Sequence, residues 1–151
     1  MENQKEKEFT TISNKLLNEV GLKPTLLLQN IIYRCNRYKV NNYYPFFEDN
    51  IYWDVISVQR IHKSMAITKG FSPRQIKRDL DKLCEKGFIK KRKPFASCNW
   101  YAPTEKLIEF LGDEYFKILN DENCYTCYDY KIYDRDYYSF EMKFIEDYNN
   151  K

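Results

Sequence analysis

Phe71-Ser72-Pro73-Arg74-Gln75-Ile76-Lys77-Arg78-Asp79-Leu80-Asp81-Lys82-Leu83-Cys84-Glu85-Lys86-Gly87-Phe88-Ile89 reads as one helix with both ends marked. Ser72 has the short oxygen-bearing side chain that accepts from the free amides of a first turn, and Pro73 suits the first helical position, where its missing N–H is no loss. Gly87 supplies the stop because it can enter the left-handed conformation that closes a helix. The spacing therefore predicts a helix over residues 73–86. At 100° per residue, with Ile76 at zero, Leu80, Leu83 and Cys84 fall between about −20° and +80°, while Arg74, Arg78 and Lys82 fall between about 160° and 240°. The cations oppose the apolar face. Gln75 lies beside them, and all but Lys82 sit in the first half of the helix. Three like charges at i, i+4 spacing repel one another by roughly a few tenths of a kcal/mol per pair. A polyanionic partner turns that cost into a gain.

Upstream, Ser57 is a suitable cap for a short helix over residues 58–65, in which Val58, Ile61 and Met65 share a side and Gln59, Arg60 and Lys63 stay outside. A turn at Thr68-Lys69-Gly70 separates it from the capped helix. Downstream, residues 88–93 and 98–102 read as two strands joined by Pro94-Phe95-Ala96-Ser97, a hairpin. Its first strand carries Lys90, Lys91, Arg92 and Lys93 toward the tip. Lysines there can contact phosphate, and lysines also protect a sheet edge from unwanted pairing.

Further out, Pro24 is expected at a first helical position. Leu27, Leu28, Ile31, Ile32 and Cys35 then cover an arc of about 140°, with Gln29, Asn30 and Arg34 interspersed, which predicts a central helix packed on several sides. Residues 14–20 predict one or two helical turns ending at Gly21. Residues 38–50 read as a loop, broken by Asn41-Asn42 and Pro45, whose Tyr43, Tyr44, Phe46 and Phe47 fold back onto the core; residues 51–56 have strand composition. Thr104 opens a helix with Leu107, Ile108, Leu111, Tyr115, Ile118 and Leu119 on one side, weakened locally by Gly112. Residues 120–151 differ in character, with seven tyrosines, two phenylalanines and eight acids, and a last helix there would gather Tyr138, Met142, Phe144, Ile145 and Tyr148.

Charge follows the same division. Residues 60–93 hold 12 Lys/Arg against 3 Asp/Glu, residues 1–59 are balanced at 7 and 7, and residues 119–151 hold 4 against 8, within a net +3 for all 151 residues. A strongly basic fifth of the chain suggests an anionic partner for the middle, and the side to which the cations point decides between that and a solvated face. With 43% apolar, 17% aromatic and 31% charged residues, the composition is that of a globular protein rather than a disordered one. A chain of this length buries roughly 68–70% of its unfolded surface, so its core needs no metal or disulfide. No stretch approaches the ~20 apolar residues of a membrane span, and the polar start is unlike a secretion signal, so a cytoplasmic location and reduced thiols are expected for the five cysteines.

The element order, with residues 51–105 and above all Ile56-Ser57-Val58-Gln59-Arg60-Ile61 followed by the Phe71 to Ile89 stretch, resembles the winged helix-turn-helix DNA-binding domains of bacterial regulators. With the helical part before it, the pattern over residues 9–110 is most similar to the N-terminal domains of phage and plasmid replication proteins, replisome organisers and initiators of the DnaD-like or RepA-like kind. The resemblance implies an α+β, mainly helical fold: a flexible N-terminus at 1–8, a winged-helix domain over 9–119, and an acidic, Tyr-rich appendage at 120–151. It implies a protein of replication or transcription control that binds double-stranded DNA, not an enzyme, with no cofactor. The expected DNA contacts are Arg60, Lys63, Ser72, Arg74, Gln75, Lys77, Arg78, Lys82, Lys90, Lys91, Arg92 and Lys93, the helix in the major groove and the wing on the backbone.

Rival readings attach to other residues. His62, the only histidine, falls within the apolar face of its helix and reads as a packed side chain, with no nucleophile, P-loop or dinucleotide motif beside it. Cys124-Tyr125-Thr126-Cys127 is a lone CxxC, two of the four ligands zinc needs, and Cys98 and His62 are the available candidates to complete it; free thiols are the expectation. A nuclease would need clustered carboxylates and a metal, and Asp129, Asp134 and Asp136 are the only dense group. The acidic appendage also admits a protein-interaction reading, a nucleic-acid mimic that inhibits DNA-binding machinery. Its aromatics should be buried against their own domain, in a two-fold dimer, or on an outside protein partner.

Overall fold

The computed structural model describes residues 9–42, 46–54, 58–64, 71–95 and 98–124. Residues 1–8 and 125–151, and with them nearly all of the expected appendage, lie outside the described residues, as do Tyr43, Tyr44 and Pro45. The described chain is α+β and mainly helical, with two small antiparallel sheets.

Helix α1 (Asn14–Val20) starts where Ser13 Oγ accepts from the Leu16 amide, and it ends at Gly21 in a positive-φ conformation. Helix α2 (Leu22–Val40) follows at once. Its 19 residues make a rod about 28 Å long. Every residue from Pro24 to Cys35 is buried, as expected of a helix enclosed on several sides, and α1, α4, α6, β2 and β4 all pack on it. Pro24 stands third in the helix rather than first. The helix also runs on through Val40, past the expected loop start at Tyr38, which is buried.

The polar residues of α2 tie the chain's distant parts to this rod. Gln29 Oε1 accepts from the Ser13 amide at 2.9 Å, and its Nε2 donates to the Thr11 carbonyl at 2.9 Å and the Cys124 carbonyl at 3.1 Å. Arg34, fully buried, grips Asp54 with Nε–Oδ1 at 2.9 Å and Nη2–Oδ2 at 2.6 Å. Asp54 in turn exchanges backbone hydrogen bonds with Tyr101.

Strands β1 (Phe47–Glu48) and β2 (Ile51–Tyr52) make a minimal hairpin around Asp49 and Asn50, both at positive φ, the conformation a tight two-residue hairpin turn requires. The expected strand over 51–56 is thus two residues of hairpin plus the isolated bridge at Asp54, and residues 55–57 lie outside the described ones. Of the aromatics expected to fold back, Phe46 is buried and Phe47 is exposed.

Helix α3 (Val58–Ser64) precedes α4 (Pro73–Lys86), and strands β3 (Ile89–Phe95) and β4 (Cys98–Pro103) pair antiparallel with a register shift between Arg92 and Phe95. The helix expected from Thr104 onward is two. Helix α5 (Glu105–Leu111) ends at Gly112, whose φ of 59° and ψ of −130° belong to glycine, and α6 (Asp113–Asn120) turns back onto α2. A final 3₁₀ turn at Glu122–Cys124 buries Cys124, and the Thr11 amide donates to the Asn123 carbonyl at 2.8 Å. The packed fold therefore continues five residues beyond the boundary expected at 119.

Two apolar clusters result. The larger joins α1, α2, α4, α5 and α6 with Phe88, Ile89 and Tyr101; the smaller gathers Tyr38, Phe46, Trp53, Trp100 and Ala102 between the two hairpins. No helix among the described residues is long and apolar enough to cross a membrane.

Candidate nucleic-acid interface

Helix α4 is held at both ends and along one face. Ser72 Oγ accepts from the Gln75 amide at 3.1 Å. Gly87, left-handed at φ 85°, closes the helix as its amide donates to the Cys84 carbonyl and the Phe88 amide to the Leu83 carbonyl. Ile76, Leu80 and Leu83 are buried. On the opposite face Arg74, Arg78 and Lys82 are exposed, and Lys77, on the flank of the helix, is exposed too. Lys77 reaches Asp81 at 3.4 Å, a long and largely solvated pair. Arg74, Arg78 and Lys82 make no ion pair or hydrogen bond with any described residue. Ser72, exposed, is occupied as the helix cap.

Gln75 departs from the expected outward position. It is half-buried, and its Nε2 donates to Asp79 Oδ1 at 2.9 Å, one turn along and inside the fold. Asp79 was absent from the sequence reading of the surface, although i, i+4 spacing to Gln75 and a wheel angle of about −60° from Ile76 mark it as an acid bordering the apolar face.

The β3–β4 hairpin sorts its four cations by strand alternation. Arg92 lies opposite Trp100 and Lys90 opposite Ala102, on the side of the smaller cluster. There Arg92 is taken up by the β1–β2 turn, with Nη1 on Asp49 Oδ2 and Nη2 on Glu48 Oε1, both at 2.6 Å. The Lys90 ammonium stands 5.9 Å from the centre of the Trp53 ring. Lys91, opposite Tyr101, takes the other side, and Lys90, Lys91 and Lys93 are all exposed. Burial pushes the Cys84 thiol of α4 up, and the Lys91 ammonium partly opposes this. The exposed cations of α4 and hairpin thus include Arg74, Lys77, Arg78, Lys82, Lys91 and Lys93. Arg60 and Lys63 belong to α3, but their side chains lie outside those described.

A cleft of about 500 Å³ lies between α2, the β1–β2 hairpin and the α5–α6 pair. Among its lining residues, Cys35 has its thiol pushed well up by burial, and Tyr115 is pushed by burial to about 12, so both stay neutral. Among the described residues neither a carboxylate nor a histidine lines it. His62 is half-buried. Cys124 is buried, Cys127 and the acids Asp129, Asp134 and Asp136 lie outside the described residues, and among the described residues no three His, Cys, Asp or Glu gather as metal ligands.

Comparison with protein-family models, with curated proteins and with solved structures gives no match to this chain.

Proposed function

We propose that this chain is a double-stranded DNA-binding protein of winged helix-turn-helix type, with α3 and α4 as the helix pair and β3–β4 as the wing. It acts in phage- or plasmid-type replication or in transcription control. One observation carries the reading: Arg74, Arg78 and Lys82 stand exposed, without ionic partners among the described residues, on a helix whose other face is anchored in the core. The acids of that face, Asp81 and Glu85, lie in the later half of the helix; its first half presents cations alone to the outside, which suits a phosphate-lined groove.

Laid in a major groove, the first half of α4 brings Arg74 and Arg78 to base edges, where a guanidinium can donate twice to guanine. Lys82, Lys91 and Lys93 then meet phosphates, which adds affinity for any sequence. Arg92 contributes differently, because its two carboxylate partners already hold it as a brace between the hairpins.

Titration of duplex DNA by fluorescence anisotropy across a range of salt tests the reading. With about five phosphates neutralised, log K against log salt falls with a slope near −4 to −5, and twice that for a dimer on two half-sites. Arg74→Ala or Arg78→Ala costs about 1–3 kcal/mol and relaxes preference at one base pair, whereas Lys91→Ala and Lys93→Ala weaken all sequences alike. A slope near zero overturns the reading.

A further inference from the structure

Asp79 is 1% exposed and is buried with Ile76, Leu80 and Leu83 of the same helix. Its Oδ1 accepts from Gln75, and its Oδ2, equally buried, has no hydrogen-bond partner among the described residues. A buried carboxylate with one oxygen unmet is a poor device for stability, since each buried acceptor left without a donor costs free energy that an apolar side chain would not. What the carboxylate does accomplish is local. It can accept but not donate, so the end of the Gln75 amide turned toward it is the NH₂ group, and an amide otherwise free to flip takes one orientation. Gln75 also stands at the third helical position, from which a glutamine commonly reaches back to the cap residue's amide. Here it reaches forward to Asp79 instead.

One amide hydrogen of Gln75 is committed to Asp79, which leaves the second hydrogen and Oε1 for a partner outside. That pair, one donor beside one acceptor, complements the major-groove edge of adenine, with its N7 acceptor and N6 donor. Guanine presents two acceptors, N7 and O6, and an amide with one hydrogen already used cannot supply two donors. We propose that Asp79 is a positioning residue that sets Gln75 to read adenine and to reject guanine. This rests on the DNA-binding reading above and adds the base class that the site takes at one position.

The test is selection of bound duplexes from a random DNA pool by the full chain and by its Gln75→Ala, Asp79→Leu and Asp79→Asn variants, with a salt titration and a thermal melt of each. The wild type enriches adenine at one position, and Gln75→Ala loses that preference, roughly tenfold or more between adenine and guanine duplexes. Asp79→Leu retains Gln75 and every cation, so the salt slope persists and the melting temperature does not fall, yet guanine is admitted at the same position. Asp79→Asn keeps the shape of the side chain, and because its NH₂ can donate to Gln75 Oε1 it also frees the flip and admits guanine. Undiminished adenine preference in both Asp79 variants overturns the proposal. So does salt-dependent binding by a wild type with no adenine position, an outcome that leaves the DNA-binding reading standing; a salt slope near zero removes both.

Discussion

Arg34 and Asp54 are both essentially without solvent contact, and each would be expensive to bury alone. Their shared hydrogen bonds offset that expense and fasten the bridge at Tyr101 to α2, so the β3–β4 hairpin is braced from the centre of the molecule. Asp54→Leu leaves a buried guanidinium and should destabilise the fold by about 3–5 kcal/mol, whereas the double change Arg34→Met with Asp54→Leu should recover most of the loss. Urea unfolding of the three proteins measures the difference. Tyr101 and Tyr115 carry a second expectation. Burial raises both from an ordinary value of 10 to about 12, so the fold favours their neutral form. Their contribution is complete below about pH 10 and is lost as the pH rises toward 12. Thermal melts taken from neutral to alkaline pH should show a falling melting temperature over that window, and a shallower fall in Tyr115→Phe.

Helix α4 owes its limits to residues next to it in sequence, so single changes at its ends should act in proportion. Ser72→Ala removes the acceptor for the Gln75 amide and should cost about 1 kcal/mol. Gly87→Ala forces a left-handed alanine, and its Cβ would come within 3.2 Å of Lys106 Cδ, whose ammonium caps the Lys86 carbonyl. A loss of about 1–2 kcal/mol is expected from the backbone conformation; thermal melts of both variants check the pair. These local signals are why the limits 73–86 could be read in advance, and why residues 14–20 could too. Gly112 was legible as a weak point but not as a break, because a glycine inside a helix costs only about 1 kcal/mol and the turn taken there depends on α6 finding α2. The strand composition of residues 51–56 likewise stated a preference without a partner.

The molecule closes where its two described ends meet on Gln29, which is bonded to Thr11, Ser13 and Cys124. A chain ended after Leu119 leaves the Gln29 NH₂ short of one acceptor, deprives the Thr11 amide of the Asn123 carbonyl, and uncovers the place of Cys124 in the core. It should be less stable than a chain ended after Cys124 by about 1–3 kcal/mol for each buried polar group stranded. Calorimetry of the two truncations decides it. Light scattering on the longer one then reads the contribution of residues 125–151 to assembly. The sequence placed that boundary at the change of composition, and composition does not record which carbonyl a distant glutamine reaches.

Periodicity and end signals were enough to obtain α4, its apolar and cationic faces, the β3–β4 hairpin and the central place of α2, because each depends on residues within a turn or two of one another. The fate of individual polar groups was a different matter. Alternation divides Lys90 to Lys93 between the two faces of their strand without saying which finds a partner; the β1–β2 turn, more than forty residues earlier, takes Arg92 and leaves Lys90, Lys91 and Lys93 exposed. Gln75 read as outward; Asp79 holds its NH₂. Gln29 and Arg34 read as interruptions of an apolar helix, and they are the tethers of the termini and of Asp54. A polar side chain announces that it must be satisfied when buried, but its partner is chosen by which backbone and side-chain groups the packed helices and hairpins bring within about 3 Å, and that is a property of the assembled fold.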